Sequence, residues 1–147
     1  MTGQDALLAV ACLDAAEANL KLGSLPAASR AAERALALAR ERDDAVGIAN
    51  AMRVRANCAA AGGDSSGAEA RLLDAIERLE RLGQPLHLGV CWKDLGAVRL
   101  RAGRVAAAAQ ALARARTLFA SLDAAQHAAE TEALFSRCGE VESCNLP

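Results

Sequence analysis

The sequence predicts an all-α fold, and three observations carry that prediction. Alanine supplies most of a hydrophobic fraction of 53%, and alanine is the strongest helix former while letting helices approach closely. Aromatic residues amount to 2% (Trp92, Phe119 and Phe135, with no tyrosine) and β-branched residues are scarce, which argues against a sandwich or a doubly wound sheet. Glycine recurs at a fixed interval, with Gly23, Gly63 and Gly103 each 40 residues apart. The length of 147 residues suits one domain.

The glycines belong to a longer internal repeat. Five residues after each comes Ala28, Ala68 or Ala108, and twelve after comes Ala35, Ala75 or Ala115. Seven before each stands a small residue: Ala16, Ala56 or Gly96. Four series in one register define a repeating supersecondary unit. Each repeat reads as two helices, the first ending at a glycine able to adopt the left-handed conformation. The second starts at Ser24 with Pro26, at a capping box Ser66-Gly-Ala-Glu69, and more weakly at Arg104,. It ends near Arg42, Leu82 and Leu122, and Asp44, Gln84-Pro85 and Asp123 stand where the next helix begins,. Seven helices follow, near 4–22, 25–42, 45–61, 66–82, 86–102, 105–121 and 124–139.

Apolar spacing inside these segments is helical. Leu72, Leu73, Ile76 and Leu79 mark the fourth helix, and Leu88, Cys91, Trp92, Leu95 and Val98 the fifth,. The repeated alanines predict hairpins in which two helices touch at small residues, so bulk at Ala68 would force them apart.

The run Trp92-x-x-Leu95-Gly96, followed by Gly103, Ala108 and Ala115, resembles the tetratricopeptide (TPR) signature. The usual repeat is 34 residues; the 40-residue form resembles the helical repeat domains of large bacterial ATP-driven transcription regulators. The first and second repeats depart from the signature, with Cys12 and Met52 at the place of Trp92 and alanine at that of Gly96. The resemblance implies a right-handed superhelical stack of three TPR-like helix-turn-helix repeats, about 9–48, 49–88 and 89–128, plus a C-terminal capping helix at 124–139. The whole forms a single domain over 1–139, with a flexible tail at 140–147.

Composition excludes several classes of function. With 17 basic and 18 acidic residues the net charge is −1, without the basic excess of a nucleic-acid binder. No apolar run is long enough for a membrane span, and the start Met-Thr-Gly-Gln-Asp lacks the features of a signal peptide, so a cytoplasmic location is expected. Five cysteines, an odd number without Cys-x-x-Cys spacing, do not form a disulfide framework; Cys12, Cys58 and Cys91 read as buried thiols. Cys138 and Cys144 could pair or cross-link two chains, although an incidental role is the simpler reading. His87 and Cys91 stand four apart, but a zinc site wants about four ligands and no others have matching spacing. Gly62–Gly67 looks like a phosphate loop without its lysine and falls where a repeat turn must fall. Nucleophile and hydride-transfer motifs are absent. Neither catalysis nor a cofactor nor a metal is expected.

By the TPR resemblance, the first helix of each pair lines a concave surface. That places Glu17 there in the first repeat, Asn50, Arg53 and Asn57 in the second, and Lys93 and Arg101 in the third. Asn50, Arg53 and Asn57 share one helix face at i, i+3, i+7, and Lys93 follows Arg53 by 40 residues, so the two are expected to be neighbours. The sharper expectation is a groove for a protein or peptide with an acidic segment or a C-terminal carboxylate: Arg53 forks the carboxylate, Lys93 and Arg101 add charge, and Asn57 holds peptide backbone. The plainer alternative is a solvated helix face. A regulatory sensor belonging to a larger signalling protein is a further reading. The apolar run from Ala6 to Ala16 also leaves a homodimer or self-associating scaffold open.

Overall fold

A computed structural model describes residues 3–146 and, among these, shows seven α-helices and no strand. They are α1 (Gly3–Lys21), α2 (Leu25–Glu41), α3 (Ala45–Ala61), α4 (Ser65–Leu82), α5 (Pro85–Arg101), α6 (Val105–Ala120) and α7 (Ala125–Cys144). The all-α class and the order of helices and turns agree with the sequence reading.

The turns show why. Gly23, Gly63 and Gly103 take φ of 76°, 95° and 77°, the left-handed region that only glycine occupies without strain. After each, the next N–H reaches back to close the helix: Ser24 donates to the Asn19 carbonyl (2.8 Å), Asp64 to Ala59 (2.9 Å) and Arg104 to Arg99 (2.9 Å). These bonds satisfy carbonyls that the helix end would otherwise leave open. The intervening turns repeat the device, with Asp43 (φ 51°) and Gly83 (φ 62°) in the left-handed position.

Two expectations need correction. The start of α4 is capped by Asp64, whose Oδ1 accepts from the Gly67 N–H at 2.9 Å. Ser66 lies two residues too far in to serve as cap, since the helix already begins at Ser65. Asp44 caps α3 in the same way, accepting from Gly47 N–H at 2.9 Å. At the other end α7 runs on to Cys144 rather than stopping at 139, because Glu140, Val141 and Glu142 are helix-compatible and Gly139 leaves its backbone bonding intact. Pro147, at the end of the expected tail, lies outside the described residues.

The chain divides into two compact units, Met1–Leu82 and Gly83–Pro147. In the first, α1, α2 and α3 pack in sequence with α1 also touching α3, and α4 packs on α3. In the second, α5, α6 and α7 repeat the arrangement, α7 touching both α6 and α5. The register alanines do the packing: Ala16, Ala28, Ala56, Ala68, Ala75, Ala108 and Ala115 have no exposed surface. Between them a few large side chains supply most of the hydrophobic free energy, among them Leu72, Leu79, Leu95, Leu112 and Phe119, at about 1.5–3 kcal/mol each. Cys12, Cys58, Cys91 and Cys138 are buried and in no disulfide, and Cys144 is the exposed cysteine.

Candidate functional site

Within each unit a part-buried ion pair joins two of its helices. In the first unit, Arg53 on α3 donates through Nη2 to Oε1 of Glu17 on α1. The Arg53 side chain is only 12% exposed and that of Glu17 41%, so the guanidinium is held at a partly sheltered place and the carboxylate sits towards water. Asn50 and Asn57 flank Arg53 on the same helix and are half-buried. Four of the residues singled out from the sequence thus lie on the adjacent helices α1 and α3.

The second unit places a base at the equivalent register position and pairs it differently. Lys93 on α5 is buried, 8% exposed, and donates through Nζ to Oε2 of Glu130 on α7. His127, one turn earlier on α7, brings Nδ1 to 3.3 Å from Nζ and stacks its ring on Phe119 with centroids 5.3 Å apart. The hydrogen bond from Lys93 holds the Glu130 carboxyl below its ordinary pKa, against an opposing push from desolvation. Arg101 is exposed at the last residue of α5. Arg53 and Lys93 therefore belong to different units, and each grips a carboxylate of its own unit. Glu130 and His127 were missed in the sequence. Their signal is the i, i+3 spacing on α7, 34 and 37 residues beyond Lys93, and it is visible only once α7 is known to pack on α5.

A second feature was not foreseen. Ser29 on α2, Arg55, Cys58 and Ala59 on α3, and Arg71 on α4, with Glu33, line an open cleft of about 180 Å³. Burial pushes the Cys58 thiol up, while a hydrogen bond with Ser29 and the charge of Arg55 pull it partly back. Such a thiol stays protonated and is a poor nucleophile. Among the described residues no group of three or more His, Cys, Asp and Glu is placed to hold a metal, and no helix is long and apolar enough to cross a membrane.

No family model matches the chain, and no curated protein matches it. Among solved structures it is similar to BtubC (BKLC) from P. vanneervenii, at 18% identity and a TM-score of 0.65. The match covers 95% of this chain and 65% of BtubC, so the chain spans just under two thirds of that protein. At this identity the likeness bears on the fold alone, and it agrees with the all-α class.

Proposed function

We propose that the chain is a non-catalytic, TPR-like module that binds an acidic segment or C-terminal carboxylate of a protein or peptide on its first-helix faces. The observation that carries this reading is that Arg53, flanked by Asn50 and Asn57, already holds a carboxylate, that of Glu17. A guanidinium fixed in a sheltered position is organised for a second carboxylate, and a charge-assisted bond there contributes about 1.5–3 kcal/mol. The flanking amides add donors and acceptors for peptide backbone. Lys93 with Glu130 offers the same chemistry in the second unit, with a point charge in place of a fork.

The test is a titration of acidic and neutral C-terminal peptides against wild type and the double variant Arg53→Ala plus Lys93→Ala. Salt-sensitive binding of acidic peptides that the variant loses supports the reading. Binding that the variant retains, or none to either protein, overturns it.

A further inference from the structure

The cleft over Cys58 carries charges that the helical repeat does not require. Ser29 and Glu33 stand one turn apart on α2, Arg55, Cys58 and Ala59 share one face of α3, and Arg71 comes from α4,. At multiples of 40 residues from the charged positions the chain has apolar side chains. Ala15 and Leu95 take the place of Arg55, Leu73 and Ala113 that of Glu33, and Ala31 and Ala111 that of Arg71. Leu95 and Ala111 have no exposed surface, so helices in this register pack well with an apolar residue there. Arg55 is instead half-buried, and sheltering a charge costs free energy unless an opposite charge meets it.

The lining groups define what fits between them. Arg55 and Glu33 act on the Cys58 thiol in opposite electrostatic directions, so both charges face the floor of the cleft. Cys58 is 6% exposed and stays protonated, which makes the floor neutral. Among the described residues the ion pair at this cleft is the long Arg71–Asp64 contact, at 3.7 Å with side chains 44% and 57% exposed. A pair so exposed is weak and leaves the guanidinium able to turn to a ligand. A phosphate-like dianion meets Glu33 as a like charge, and a plain cation meets two arginines. A molecule that carries both signs answers all three. The volume of about 180 Å³ lies below the roughly 300–1,000 Å³ of pockets for drug-sized ligands, which limits the occupant to a few heavy atoms around its two charges.

We propose that this cleft binds a small zwitterion, a free α-amino acid, with its carboxylate at Arg55 and Arg71 and its ammonium group at Glu33. Arg55 supplies a planar fork for the carboxylate. Ser29 adds a hydroxyl that both donates and accepts, and Cys58 with Ala59 forms the floor. Arg53 precedes Arg55 by two residues, about 200° around α3. The cleft is therefore separate from the face that holds Glu17, and it goes beyond the peptide-binding reading.

Backbone amide chemical shifts of the full chain, followed during titration with a panel of free amino acids, test the proposal. Acetate and methylammonium serve as the two half-ligands. At least one amino acid is expected to shift the Ser29, Arg55, Cys58 and Arg71 amides saturably below about 50 mM. Each half-ligand should bind about tenfold more weakly or worse. Glu33→Gln and Arg55→Gln should each weaken amino-acid binding by about tenfold, whereas Arg53→Ala should leave it unchanged. The same spectra show that each variant is folded, and Glu33, which is exposed, keeps the test decisive should Arg55→Gln fail to fold. No saturable shift with any amino acid overturns the proposal. So does acetate binding as tightly as the best amino acid, which marks a simple anion site, and so does full binding by Glu33→Gln.

Discussion

Gly96 is the register position where two helix-forming influences oppose each other most clearly. Replacing it by alanine favours α5 by about 0.8–1.0 kcal/mol on intrinsic propensity. The added Cβ, however, would lie 2.6 Å from both Cγ and Cδ2 of Leu112 on α6, where ordinary carbon contacts are about 3.5–4.0 Å. Leu112 has no exposed surface, so it cannot swing into solvent, and overpacking of this kind costs about 1–3 kcal/mol. The equivalent positions on α3 and α4 carry Ala56 and Leu72, both fully buried, so a hairpin can hold an alanine and a leucine there with different spacing. The overpacking cost is thus near the middle of its range, and Gly96→Ala should destabilise the second unit by about 1 kcal/mol. Urea unfolding followed by Trp92, the only tryptophan and itself on α5, reads that unit. Leu112→Ala alone should cost about 2–5 kcal/mol by leaving a cavity. The double variant recreates the Ala16 and Ala32 pair of the first repeat, both fully buried, and should cost clearly less than the sum. A Gly96→Ala protein that is stabilised by the full propensity term would refute the packing argument.

Three further outcomes follow from named contacts. Asp64→Ala should lower stability by about 1 kcal/mol through loss of the α4 cap, whereas Ser66→Ala should be nearly neutral; denaturant midpoints compare the two. Glu130 is held below its ordinary carboxyl pKa of 4.5, so its stabilising contribution is fully present above that value and is lost as pH falls through the lowered one. The Trp92-monitored stability should therefore decline more steeply below about pH 4.5 in wild type than in Glu130→Gln. With a thiol reagent at neutral pH one cysteine per chain, Cys144, should react quickly. Cys58 and Cys138, buried with pKa values raised mainly by desolvation, should be among the slow ones.

The helices were legible because their ends are written locally. Gly23, Gly63 and Gly103 mark left-handed turns, and Ala28, Ala68 and Ala108 mark contacts where only a small side chain fits, so spacing alone located them. The cap at Asp64 was less legible, because Ser65, Ser66 and Asp64 are all plausible caps and backbone geometry decides among them. Ion pairing was less legible again. The polar face of α3 could be read from Asn50, Arg53 and Asn57, but no local pattern pairs Glu17 with Arg53 or Glu130 with Lys93. Those pairs depend on how far a side chain reaches between helices that are not adjacent in sequence, α1 to α3 and α5 to α7. The cleft above Cys58 has the same origin, since it needs three helices to form.

If Arg53 is a carboxylate-holding residue, Glu17 is its resident competitor, and removing that competitor tests the central claim most directly. Glu17→Gln keeps the shape of the side chain and deletes its charge. Titrated with an acidic peptide by fluorescence anisotropy, it should bind more tightly than wild type, by about tenfold for a charge-assisted bond near the low end of its range. Unchanged or weaker binding by Glu17→Gln would contradict the account, since the Arg53–Glu17 pair would then serve only to join α1 to α3.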